Sequence, residues 1–263
     1  MDDTRLSGTL QRFPPAPALR GLVSHYWLSL DGGAGGHTVL PDGCVDLVLR
    51  LEHGDGDWSA FGSSTRPATV PVSVASRYFG IRFQPGQSRH FLSVPGRLLT
   101  DTVHPLHRPA GLQAGQLAER ITAANPARAV DRLLLNWLAR QPPARHRLDG
   151  ALTLLSRPGR VATVTGLAEQ LNLSRRQLER DFLEGVGVPP KLFMGIRRSQ
   201  WAGALLSRRP SGATLADIAL SAGYADQSHM TRELKRYLGI TPGAPRLATH
   251  DVAFIQEQAA WPG

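Results

Sequence analysis

Two short stretches of the 263-residue chain gather residues suited to reading nucleic acid at helical spacing. The first, "NLSRRQLERDF", holds Arg175, Arg176, Gln177, Glu179 and Arg180; the second, "DQSHMTRELKR", holds Gln227, Ser228, His229, Thr231, Arg232, Lys235 and Arg236. Arginine can bond two acceptors of guanine at once, glutamine matches adenine, and a carboxylate accepts from cytosine. Lysine and a helix N-terminus suit phosphate instead. A charged helix face is more often simply solvated, so either stretch alone would carry little. Their weight comes from what repeats around them.

The pattern Leu178-x-Arg180-x-Phe182, then Gly187-Val188 and Pro190, recurs as Met230-x-Arg232-x-Leu234, then Gly239-Ile240 and Pro242, always 52 positions on. Upstream, Leu167-Ala168 recurs as Ile218-Ala219 at 51, leaving one extra residue in the second turn. Two copies of one small unit follow. In the first, Thr165 is expected to cap a buttress helix, Asn172 to take a turn with positive φ, and Ser174 to cap the next helix. In the second, Thr214, Gly223 and Asp226 take those places. Leu178 and Phe182, like Met230 and Leu234, lie four apart and should face inward. The remaining side chains face out, which is the logic of a helix-turn-helix whose second helix enters a major groove.

Between the copies, "PPKLFMGIRRSQWAGALLSR" starts with a proline suited to a first turn and spaces Leu192, Ile196, Trp201, Ala204 and Leu205 for helical burial. A helix of about 20 residues spans roughly 30 Å, near the roughly 34 Å repeat of a duplex turn.

The rest of the chain sets the context. Thirty basic residues, nearly all arginine, face 21 acidic ones, a formal charge of +9 that favours polyanionic partners. No apolar run reaches about 18 residues, so no transmembrane helix is expected, and the opening "MDDTRLSGTL" lacks the basic-then-apolar order of a secretory signal. The single cysteine, Cys44, excludes an internal disulfide and fits a reducing, cytoplasmic setting. The first hundred residues read as short strands between turns: "HTVLPDGCVDLVLRLE" and "SRYFGIRFQPG" are the clearest. From 126, "PARAVDRLLLNWLARQ" places Val130, Leu133, Leu134, Trp137 and Leu138 on one helical face, wide enough to cover a sheet or meet a second copy. "QPPARHR", residues 141 to 147, reads as a linker, and helices with short connections follow.

Other candidates are weaker. Asp42, Cys44 and Asp46, with His37, have metal-ligand chemistry, yet Asp42 sits in a Pro-Asp-Gly turn and a lone cysteine is usually a buried hydrophobe. His104 and His107 in "HPLH" are broken by Pro105. Neither set is assigned a metal, and no cofactor is expected. Arg82, inside a strand-like run, suits either a structural aspartate or the carboxylate of an effector, the structural pairing being favoured. The sequence shows no Gly-rich phosphate loop, G-x-S-x-G or H-E-x-x-H, so an enzyme is not expected.

The stretch "LADIALSAGYADQSHMTRELKRYLGITP" resembles the signature of the AraC/XylS transcription regulators, and residues from about 150 to 248 follow that family's two-motif, seven-helix pattern. The resemblance implies base reading by Arg176, Glu179 and Arg180 in the first motif and by Gln227, Ser228, His229 and Arg232 in the second. Arg175, Lys235 and Arg236 are left as phosphate contacts. Met230 and Leu234 replace the family's usual aromatics, and Ala244-Pro245 its usual tyrosine before Arg246. "LPDGCVDLVLRLE" with "FGIRFQPG" resembles the sensor half of a subset of these regulators, commonly a small β-barrel or cupin-like sandwich with trailing helices.

The expected organisation is therefore an α+β multidomain chain: a sensing or dimerising domain at 1–143, an all-α DNA-binding domain with two helix-turn-helix motifs at 148–250, and a tail at 251–263. Its expected function is sequence-specific regulation of transcription, as activator or repressor, in the cytoplasm and on the nucleoid. Double-stranded DNA, a small-molecule effector, RNA polymerase and a second copy of the chain are the expected partners; a membrane is not. Two alternatives remain at this level: a DNA-repair protein in which Cys44 accepts an alkyl group, with Arg50 as the candidate for activating the thiol, and a constitutive regulator whose N-terminal half only dimerises.

Overall fold

The computed structural model describes residues 10–29, 37–51, 57–70, 76–106, 126–143, 146–156, 163–208 and 212–243. The N-terminal part contains β1 (Leu10–Phe13), β2 (Val23–Ser29), β3 (His37–Val39), β4 (Asp46–Leu51), β5 (Asp57–Phe61), β6 (Ala68–Val70), β7 (Arg77–Phe83), α1 (Gly96–Leu99), β8 (Val103–Leu106) and α2 (Pro126–Arg140). Six strands form one antiparallel sheet in the order β1-β2-β7-β4-β5-β8, and β3 pairs with β6 separately. The two clearest sequence strands became β4 and β7. Among the described residues the expected barrel does not close, because β1 and β8 are opposite edges of the sheet and do not pair with each other.

Side chains alternate across the sheet, as period two demands. Leu47, Leu49, Phe79, Ile81 and Phe83 point to one face and are fully buried. Val130 and Leu134 of α2 cover that face, with Leu133, Leu135, Trp137 and Leu138 packed beside them. Three bonds hold the helix there: Asp131 accepts from the Tyr26 hydroxyl at 2.7 Å and from the Ala16 amide at 3.0 Å, and the Trp137 indole donates to the His90 carbonyl at 2.9 Å. The apolar face that the sequence left open between a sheet and a second copy is thus taken by the sheet.

The opposite face carries His25, Trp27, Gly80, Arg82 and Asp46. Gly80 is needed here because a Cβ would lie 1.9 Å from the Trp27 indole, and that indole donates to Asp46 at 2.9 Å. Arg82 donates to Asp46 at 2.6 Å and also to Asp42. Burial pushes the Asp46 carboxyl up to about 7.

The helical part comprises α3 (Arg147–Leu155), α4 (Val164–Gln170), α5 (Arg175–Gly185), α6 (Pro190–Ser207), α7 (Leu215–Ser221) and α8 (Gln227–Leu238). Helix α3 starts inside the "QPPARHR" stretch, with His146 as its cap and Asp149 closing the capping box. Leu148, Leu152, Leu167, Leu178, Phe182 and Phe193 form one core, and Ala202, Ile218, Ala219, Met230, Leu234 and Leu238 another. Helix α6 belongs to both. It contributes Phe193 to the first and Ala202 and Ala204 to the second.

Candidate nucleic-acid interface

Each half of the repeat builds the same device. Ser174 caps α5, its hydroxyl accepting from the Gln177 amide at 3.2 Å while Gln177 accepts from the Ser174 amide at 3.0 Å. Asp226 caps α8, accepting from the His229 amide at 2.7 Å. Asn172 adopts φ 52° and Gly223 φ 80°, the left-handed turns expected of each. Thr214 caps α7, but Thr165 does not cap α4; Thr163 does, accepting from the Gly166 amide. The sequence contained that answer, since stepping back 51 positions from Thr214 lands on Thr163.

With caps and cores fixed, the outward set follows. Leu178, Phe182, Met230 and Leu234 are fully buried. Arg175, Arg176 and Arg180 are exposed on α5, as are Gln227, Ser228, Arg232, Lys235 and Arg236 on α8; Glu179 and His229 are partly covered. Glu179 accepts from Arg175 at 3.0 Å, an exposed pair of the i,i+4 type. Such a pair is worth about 0.3–0.5 kcal/mol, so either member can leave it for a stronger partner. Arg236 lies over the Tyr237 ring at 5.2 Å. The eighteen residues of α6 separate the two devices by roughly 27 Å along its axis.

A second layer, absent from the sequence reading, holds α8 on α6. Arg198 grips the Glu233 carboxylate through three contacts of 2.9–3.2 Å and lies over the Tyr224 ring at 4.7 Å. Tyr224 and Ser199 share a hydroxyl bond of 3.0 Å. The same Glu233 lies 3.5 Å from the His229 imidazole, which meets the Tyr224 ring edge-on. One carboxylate thereby ties a base-reading candidate to the connecting helix. The hint in the sequence was Glu233 itself, an acid in a basic run, three residues from one inward position and one from another.

The remaining sequence candidates fall elsewhere. Asp42 accepts from the Cys44 amide at 2.8 Å, its own turn's bond, and Arg82 has the structural pairing described above. Cys44 is 3% exposed. Arg50, the candidate for activating it, is exposed on β4; Arg197, which burial lowers to about 10, interacts electrostatically with Cys44. His104 is exposed on edge strand β8; His107, Arg246 and the tail lie outside the described residues. No group of three metal-binding side chains occurs among the described residues, nor does a helix long and apolar enough to cross a membrane.

Comparison with known proteins meets this geometry at the repeat. Residues 167–247 match a family described as a helix-turn-helix domain. A Streptomyces lividans protein described as an AraC-like transcription regulator is 40% identical over 96 residues, 35% of this chain and 30% of that protein. The C-terminal region is an AraC-type helix-turn-helix domain. The transcriptional regulator MtrA of Neisseria gonorrhoeae is 35% identical to it over 75 residues, 28% of this chain and 24% of that protein. The chain thus spans less than a third of the length of these relatives. Among solved structures, an AraC-type regulator from Chromobacterium violaceum shares 25% identity, with 48% of this chain and 98% of that one covered at a TM-score of 0.33. Upstream of the AraC-type domain, residues 11–105 match a domain of unknown function, DUF6597.

Proposed function

We propose that the chain is a sequence-specific DNA-binding regulator of transcription. The observation that carries this reading is the pair of capped helices, α5 and α8, whose exposed faces carry the base-reading and phosphate-binding candidates, with Lys235 and Arg236 in the last turn of α8, while one continuous helix joins them. Arg176, Glu179, Arg180, Gln227, Ser228, His229 and Arg232 are the base readers in this proposal. Arg175, Lys235 and Arg236, beside them, hold phosphate.

The N-terminal half, a small cupin-like sandwich in this reading, modulates the DNA-binding part; support comes from its contacts with both halves of the repeat. Arg82 serves a carboxylate effector only if that effector displaces Asp42 or Asp46, a route that makes the site inducible. A second copy would have to meet a surface other than the apolar face of α2. Contact with RNA polymerase and residence on the nucleoid are part of the same proposal. The alkyl-acceptor alternative is disfavoured by the burial of Cys44, 3% exposed, which leaves an alkylated DNA group no approach to the thiol.

Selection of bound sequences from a random duplex library tests the proposal. A site of two short blocks about one helical turn apart is the expected result, and its duplication would reveal a dimer. Arg180→Ala or Arg232→Ala should then reduce discrimination against wrong bases by about 1–3 kcal/mol. Equal loss on every sequence would overturn base reading by these residues.

A further inference from the structure

The elbow between α5 and α6, Val186 to Pro189, is where the two reading devices join. Carbonyls beyond the end of a helix need outside partners, and here the N-terminal half supplies them. Ser63 donates to the Val186 carbonyl at 2.6 Å and Thr100 to the Gly187 carbonyl at 2.7 Å. The Pro41–Cys44 turn fills the inside of the elbow. Gly43, at φ 77°, sits so close that a Cβ there would lie 2.5 Å from the Phe193 ring and 3.2 Å from Val186. On the α6 side, Gln200 is 1% exposed; it donates to the Pro41 carbonyl at 3.1 Å and accepts from Arg197 at 2.9 Å. Leu40 is buried in the second core, with Met230 and Leu234 of α8. The turn thus touches the exit of the first reading helix, the connecting helix and the core beneath the second. It is anchored from behind, since Asp42 is held by Arg82 of β7.

We propose that the Leu40–Cys44 segment is a positioning element for DNA reading: wedged in the elbow, it fixes the angle between the two helix-turn-helix units and so the base-pair spacing that they accept. This rests on the DNA-binding reading given above. A packed core offers discrete rather than graded arrangements, so a wedge inserted there selects one. Leu40, Gly43, Ser63, Thr100 and Gln200 are positioning residues. None of them needs to touch DNA, and the N-terminal half becomes part of the reading unit itself.

Two measurements on the full chain test this, one of them without DNA. Spin labels on Glu169→Cys in α4 and Leu220→Cys in α7, both exposed, report the distance between the two units by pulsed electron resonance; buried Cys44 stays in place. A single narrow distance is expected in the parent. It should broaden or split when Leu40→Ala is combined with Ser63→Ala, and Leu40→Met should restore it. An unchanged distribution in the folded Leu40→Ala/Ser63→Ala variant overturns the proposal, whatever the protein binds. The second measurement takes the selected two-block duplex and varies the gap between blocks by one and two base pairs. The parent should lose roughly tenfold in affinity per misplaced step, and the variant should lose much less while binding a single block as the parent does. A parent-like spacing profile in the variant, or equal loss on single-block and two-block duplexes, counts against the wedge. Failure of the parent to select any sequence would instead sink the DNA-binding reading, with the distance measurement still deciding whether the segment sets the angle.

Discussion

Replacing Arg198 tests the tie between the connecting helix and the second reading helix. Arg198 and Glu233 side chains are 28% and 18% exposed, between the surface regime, where a pair is worth about 0.2–1 kcal/mol, and the buried regime, where removing one partner costs about 3–5 kcal/mol. Three contacts no longer than 3.2 Å place Arg198→Ala at about 2–3 kcal/mol and the coupling within the pair at about 1–2 kcal/mol. Arg198→Ala also removes the cation from the face of Tyr224, so it should exceed Glu233→Ala by about 0.5–1 kcal/mol. A chain with three hydrophobic clusters need not unfold in one step. Amide hydrogen exchange in α8, at Met230 and Leu234, is therefore the suitable assay, because it reads the opening of that region directly. The two single variants and the double variant complete a thermodynamic cycle. Coupling below about 0.5 kcal/mol would refute the argument that Glu233 is held by Arg198, and His229 would then owe its place to its cap and Tyr224 alone.

Phe182→Ala, at a site fully buried and with its ring centroid 5.7 Å from that of Phe193, should cost about 3–5 kcal/mol in the opening free energy read by amide exchange in α5; less than about 1 kcal/mol would mean that the first core is not packed as described. Ser174→Ala removes a capping box and should cost about 1 kcal/mol, with faster exchange confined to the first turn of α5; a global effect of that size would contradict a local cap. Burial, followed by the Arg82 and Arg12 cations, holds His25 down at about 3 against an ordinary 6.5. Between those values the unfolded chain binds a proton that the native chain does not, so this contribution to stability is present above pH 6.5 and lost as pH falls toward 3. The stability gap between the parent and His25→Asn should therefore narrow with acidification by up to about 1.4 kcal/mol per pH unit. Parallel pH curves would show that His25 titrates normally.

Much of the C-terminal architecture was written locally. A capping residue and the amides it bonds are three positions apart, and an inward pair such as Leu178 and Phe182 is four apart, so type and spacing suffice to place both. Asn172 and Gly223 announce their turns because few residues tolerate positive φ. Thr165 was misplaced as a cap because two threonines lie within two residues, and only the register of the repeat separates them. In the N-terminal half, alternation gave β4 and β7. It could not give the order of the strands or show that the edges stay open, since pairing joins residues that sequence leaves far apart.

What the sequence by itself determined is the pair of helices α5 and α8, their caps, their inward residues and the set left facing outward. Tertiary structure alone decided what holds those helices in relation to each other. Arg198 and Glu233 are 35 positions apart, Ser63 and Val186 123, and Gln200 and Pro41 159. No periodicity reaches over such distances, because a serine hydroxyl or a glutamine amide has no preferred partner until the fold brings one carbonyl within 3 Å and takes water away from it.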